Sequence, residues 1–95
     1  MPLFLVQYSY SPDIERRLAE RPAHREWLGG LFDEGRLVAA GPYADDGAPG
    51  GQLIIRAETA GAVEELLPDD PYAQIGVIAD ATIRQWTVVF GPWQD

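Results

Sequence analysis

The chain has no cysteine and no lysine, a single histidine, and only two serines, Ser9 and Ser11. The first absence removes disulfide frameworks, thiolate nucleophiles and cysteine-ligated zinc together. Without lysine there is no Schiff-base amine and no phosphate-loop cation, and neither a Gly-x-Ser-x-Gly elbow nor a Gly-x-Gly-x-x-Gly loop is spelled anywhere. Hydrolase, kinase and dehydrogenase chemistries thereby lose their main support. One histidine is also too few for most metal sites, so no metal and no cofactor are expected. Long hydrophobic runs are missing as well, none approaching the roughly 20 residues of a membrane span. The apolar start at Met1 has no basic region and turns polar by Gln7, unlike a secretory signal. A cytoplasmic protein is the expectation.

Fifteen acids stand against seven arginines, giving a formal charge of −8. A field of that sign repels phosphate backbones and anionic lipid surfaces, which argues against nucleic acid and membrane partners. The 95 residues, 46% of them hydrophobic, suffice for one domain spanning 1–95. A domain this small leaves much of its surface wet, and a partner subunit would relieve that.

Residues 3–10 read as a strand, with Phe4, Val6, Tyr8 and Tyr10 on one face and Leu3, Leu5, Gln7 and Ser9 on the other. Ser11-Pro12-Asp13 breaks it. Helical composition follows, divided by Pro22 into a loose turn over 14–20 and a main helix over 22–34 that ends at Gly35. Gly29-Gly30 inside this helix costs about 1 kcal/mol per glycine, either compensated by close packing against another backbone or left as a local weakness without purpose. A second strand over 36–40 stops at Gly41-Pro42. The turn-rich stretch 44–51, with its acidic pair Asp45-Asp46, reads as the solvated loop of a hairpin into a third strand over 52–57. Thr59 caps a second helix whose apolar positions Ala62, Val63, Leu66 and Leu67 repeat at helical spacing until Pro68. Asp70-Pro71-Tyr72 opens a short turn, and the last strand runs over 81–90. Trp27 and Trp86 are expected in the core.

The order β-α-β-β-α-β is that of a ferredoxin-like α+β fold, one antiparallel sheet with both helices on one face. Strands one and four carry apolar residues on both faces, so the helix-free face should be covered by a second copy of the chain. A homodimer through that face follows.

His24 heads the apolar series Trp27, Leu28, Leu31 and Phe32 on the main helix. On that face an imidazole is either a hydrogen-bonded core group or a proton-transfer group in a pocket. Asp70 is the candidate carboxylate to orient it, because the two helices of a split βαβ fold lie side by side and bring these segments to one end. Capping of the Pro71 turn is a second and compatible role for Asp70. Arg21 and Arg25 flank His24 and suit an anionic or phenolic substrate, or else pair with Glu20 or Glu26. Tyr8 and Tyr72 are candidates to line a pocket and donate to a substrate, or simply to pack.

Residues 21–28, Arg-Pro-Ala-His-Arg-Glu-Trp-Leu, are followed by Gly35-Arg-Leu-Val-Ala-Ala-Gly-Pro42, a glycine-opened strand at Gly50-Gly51, then Asp70-Pro71-Tyr72 with Gly76 and a closing strand containing Trp86. In this order and over nearly the whole chain they resemble the YCII-related (YciI-like) family. The resemblance implies a dimeric α/β barrel built from ferredoxin-like units, with His24 and Asp70 at the positions of the family's His–Asp pair. One branch of that family eliminates hydrogen chloride from a chlorinated hydroxyhydroquinone. Related barrels include muconolactone isomerases and cofactor-independent oxygenases of aromatic polyketides. Proton abstraction from small cyclic or phenolic compounds is their common theme. The loop 44–51 and the Arg21 and Arg25 pair match no particular branch. Two functions follow: a cofactor-independent lyase or isomerase using His24 and Asp70 on a small cyclic or phenolic metabolite, or a non-catalytic dimeric module that binds a small molecule.

Overall fold

The computed structural model describes residues 1–93. The alternation in the first segment becomes β1 (Leu3–Tyr10), followed by α1 (Ile14–Asp33), β2 (Leu37–Pro42), β3 (Gly50–Arg56), α2 (Ala60–Leu66), a 3₁₀ turn over Leu67–Asp69, the short α3 (Pro71–Gln74) and β4 (Ile78–Trp86). The four strands form one antiparallel sheet in the order β2-β3-β1-β4. This is the ferredoxin-like α+β arrangement expected from the order of elements.

Phe4, Val6 and Tyr8 of β1 join Leu53 and Ile55 of β3, Leu31 of α1, and Val63 and Leu66 of α2 in one buried cluster. The period-2 pattern of the strands and the helical spacing of α2 therefore meet on a single sheet face. Thr59 caps α2 by accepting from the amide of Ala62 at 3.1 Å. Gly35, at φ +78°, turns the chain out of α1.

Pro22 does not divide the first helix, which runs unbroken from Ile14 to Asp33. Pro22 and Leu18, whose carbonyl loses its partner, are both exposed, so water replaces the missing hydrogen bond on the solvent side. Gly41-Pro42 belongs to β2 rather than ending it. That strand is at the edge of the sheet, where a residue without an N–H is tolerated. The last strand starts at Ile78 and ends at Trp86, because Trp86 pairs with Leu3 and β1 offers nothing beyond it to pair with Thr87 and its successors.

Three packing expectations are overturned. Phe32 is 60% exposed and Trp86 37% exposed, so neither is a core residue. A Cβ at Gly29 or Gly30 would meet nothing within 4 Å, so close backbone packing does not explain that pair and the reading of local weakness remains. Gly50 is a different case. A side chain there would collide with the carbonyl oxygen of Tyr8, and one at Gly51 would lie 2.7 Å from the Tyr10 hydroxyl.

On the helix-free face the strand register sets Leu5 opposite Ile54 and Arg84, and Leu3 opposite Arg56 and Trp86. Leu3 and Ile54 are buried, Leu5 is half-buried, and Gln7, Tyr43 and Gln52 form a polar strip with Tyr43 Oη as its hub. Among the described residues no helix is long and apolar enough to cross a membrane.

Candidate active site

Asp70 precedes a proline, which restricts it to an extended backbone and makes it the N-cap of α3, with φ −64° and ψ 124°. Its carboxylate has no exposed surface and is met by three donors. Oδ1 accepts from the Tyr72 amide at 2.9 Å and from Nδ1 of His24 at 2.8 Å, and Oδ2 accepts from the Tyr8 hydroxyl at 3.0 Å. The two roles weighed for Asp70, cap and partner of His24, are filled by one side chain.

A buried carboxylate surrounded by donors acts only as an acceptor. The neutral imidazole of His24 therefore carries its hydrogen on Nδ1, and the lone pair is on Nε2. Nε2 has no protein partner, and no buried side-chain nitrogen or oxygen among the described residues lacks a hydrogen bond. Nε2 accordingly keeps contact with solvent, in the cavity that His24 lines.

That cavity measures about 550 Å³, within the range of small-molecule sites, and lies between α1 and the β2–β3 hairpin. Leu28, Phe32, Leu37 and Leu53 give it apolar walls, while Arg17, Arg21 and Arg25 supply three cations. Among the described residues no Asp or Glu lines it. Among the described residues the ion pairs are His24 with Asp70 and Arg36 with Glu34, so Arg21 and Arg25 do not pair with Glu20 or Glu26.

Of the residues singled out in the sequence, His24, Asp70, Tyr8 and Tyr72 come together. Tyr72 lies in the cavity wall, stacked on the imidazole, and Arg21 lies in the same wall. Tyr8 is placed differently. It is buried beneath the pair, outside the cavity lining, and touches the site through Asp70. Burial, and then the charge of Asp70, push its phenol far above the ordinary value of 10.0, so it remains a donor.

Tyr10, Arg17 and Tyr43 also line the cavity and were not picked out from the sequence. Tyr10 sets its ring edge against Tyr72, centroids 5.6 Å apart, and the Arg17 guanidinium lies 4.7 Å over the Tyr10 ring. Burial raises the Tyr10 phenol and Tyr72 adds to the rise, with Arg17 pulling against it. The signal for Arg17 was its place seven residues before His24, two helical turns along the same stripe.

A ferredoxin-like unit with a buried His–Asp pair opening on a cavity defines a class of small-molecule site. The chain belongs to the YCII-related domain family, whose model matches residues 1–87. Protein YciI of Escherichia coli O6:H1 is 36% identical over 85 residues, covering 81% of this chain and 87% of that protein. "Derivative of benzaldehyde biosynthesis cluster protein C" of Emericella nidulans is 34% identical over 76 residues, covering 70% of this chain and 78% of that one. Among solved structures, 5-chloro-2-hydroxyhydroquinone dehydrochlorinase (TftG) of Burkholderia phenoliruptrix, in complex with 2,5-dihydroxybenzoquinone, superposes with a TM-score of 0.77 at 25% identity, covering 88% of this chain and 92% of that one.

Proposed function

We propose that the protein is a cofactor-independent lyase or isomerase of the cytoplasm that moves a proton on a small cyclic or phenolic metabolite. The observation that carries this reading is the division of labour on one imidazole: Nδ1 is held by a buried carboxylate, and Nε2 is open to the cavity. In this reading the Nε2 lone pair takes a proton from an acidic C–H or O–H of the substrate. Asp70 stabilises the imidazolium that forms. The electron pair left on the substrate either expels a leaving group from the adjacent carbon, completing an elimination, or is reprotonated elsewhere by the imidazolium, completing an isomerisation. In the elimination the imidazolium gives its proton up to solvent.

Arg21 and Tyr72 are the proposed substrate contacts in the wall. Tyr8 is a positioning residue, acting through Asp70. The dehydrochlorinase and its quinone ligand support a ring compound as substrate class. The active form is proposed to be a homodimer joined through the helix-free sheet face, where Leu5 and Trp86 retain exposed apolar surface.

The test incubates the protein with 5-chloro-2-hydroxyhydroquinone and with a panel of hydroxyquinols and butenolides, reading chloride release and deuterium incorporation from D₂O. At least one compound should turn over, and His24→Ala should lower that rate by about 10²–10⁴-fold with an unchanged circular dichroism spectrum. Binding without turnover, no response to any compound, or an undiminished His24→Ala rate overturns the reading. The first of these outcomes identifies a binding module.

A further inference from the structure

Arg17 is 8% exposed, yet its guanidinium has no hydrogen bond or ion pair among the described residues. A side chain so largely buried is seldom left with its cation unpaired, since natural interiors pair or hydrogen-bond nearly all such groups. The neighbouring Arg16 shows the structural alternative, since its Nη2 donates to the carbonyl of Ile75 at 2.6 Å. Arg17 lines the cavity instead, with the central carbon of its guanidinium 4.7 Å over the Tyr10 ring. A cation–π contact supplies none of the guanidinium's N–H donors with an oxygen acceptor. None of those polar atoms is fully buried without a partner, so they keep contact with solvent beside the cavity that Arg17 lines.

The distribution of charge is equally informative. Acids outnumber arginines fifteen to seven along the chain, but among the described residues this cavity has three arginines and no acid in its wall. Arg17, Arg21 and Arg25 occupy successive turns of α1 on the side that carries His24. A local positive field inside an anionic protein selects one sign of ligand.

We infer that the substrate carries a carboxylate, that Arg17 anchors it through its N–H fork, and that Arg21 and Arg25 add to the attraction. A planar carboxylate matches the planar fork, and the apolar walls from Leu28 to Leu53 suit the ring that bears it. This inference rests on the reading of His24 as the base, because it places the anchored anion and the reacting hydrogen on one molecule. The anion-binding half is measurable without turnover.

Salicylate and its neutral amide, salicylamide, are the probes, titrated into the protein and followed by NMR. Wild type should bind salicylate at least about tenfold more tightly than salicylamide, one charge-assisted contact's worth. Added sodium chloride should weaken salicylate alone. Arg17→Met, which keeps an unbranched apolar side chain without the charge, should abolish the preference, and Arg17→Lys should keep part of it. The preference is read without turnover, so that loss of the base and loss of the anchor are told apart. Equal binding of the two probes by wild type, no saturable binding of salicylate, or a preference that survives in Arg17→Met overturns the inference. A failed turnover assay with an intact preference overturns only the catalytic reading.

Discussion

Tyr72 lies flat on the imidazole of His24, with ring centroids 3.8 Å apart and planes 3° from parallel. The same carboxylate oxygen that accepts from Nδ1 also accepts from the Tyr72 amide. One oxygen of Asp70 therefore fixes the edge of the imidazole and seats the residue that covers its face.

Asp70→Asn should separate the two duties of this acid. Asparagine still caps α3 through its oxygen, so the fold should persist, but the negative charge that stabilises the imidazolium is lost. Turnover should fall by about 10²–10⁴-fold, with a melting temperature close to wild type. Asp70→Ala loses the cap and leaves the Tyr8 hydroxyl and Nδ1 without their acceptor. A loss of about 2–4 kcal/mol in urea unfolding is expected.

Tyr8→Phe removes one donor from a buried carboxylate and should cost about 1–3 kcal/mol at neutral pH. The pH dependence has a definite sign. The Tyr8 phenol is raised in the folded protein by burial and by Asp70, so the stability it contributes is complete below the unfolded value of 10.0 and is lost as pH rises beyond it. Urea midpoints measured across that alkaline range should show wild type losing stability faster than Tyr8→Phe, so that the two curves converge.

Two glycine substitutions should move stability in opposite directions. Gly50→Ala drives a methyl group into the Tyr8 carbonyl, and rigid backbone cannot yield cheaply, so a cost of at least about 1–3 kcal/mol is expected. Gly30→Ala meets open space on a helix and should gain up to about 1 kcal/mol. Thermal unfolding of the two variants checks both.

If the helix-free face joins two copies, wild type should sediment with a two-chain mass. Leu5→Glu, which sets a charge at the centre of that face opposite Ile54, should shift the equilibrium to single chains while the far-ultraviolet spectrum is kept.

Much of this was legible in the residues, and the failures share a cause. The His24–Asp70 pair could be read because helical spacing puts His24 inward and the Asp-Pro step dictates a cap, so a correct order of elements brought them together. Arg17 was hidden because Pro22 suggested a break in the helix, and a break discards the phase relation between positions 17 and 24. The end of β4 was misplaced because Thr87, Val88 and Val89 have good strand propensity, whereas strand length is decided by the partner, and β1 begins only at Leu3. The exposure of Phe32 follows from the cavity beside it, a space that no local pattern encodes.

The unbroken course of α1 turns that helix into a measuring rod. Arg17 and His24 hang from one rigid segment seven residues apart, about 10 Å along its axis. The gap between the anchored end of a guest molecule and the atom that surrenders its hydrogen is thus set by helical pitch rather than by a mobile loop. Congeners of the right charge but the wrong length should dock and stay inert.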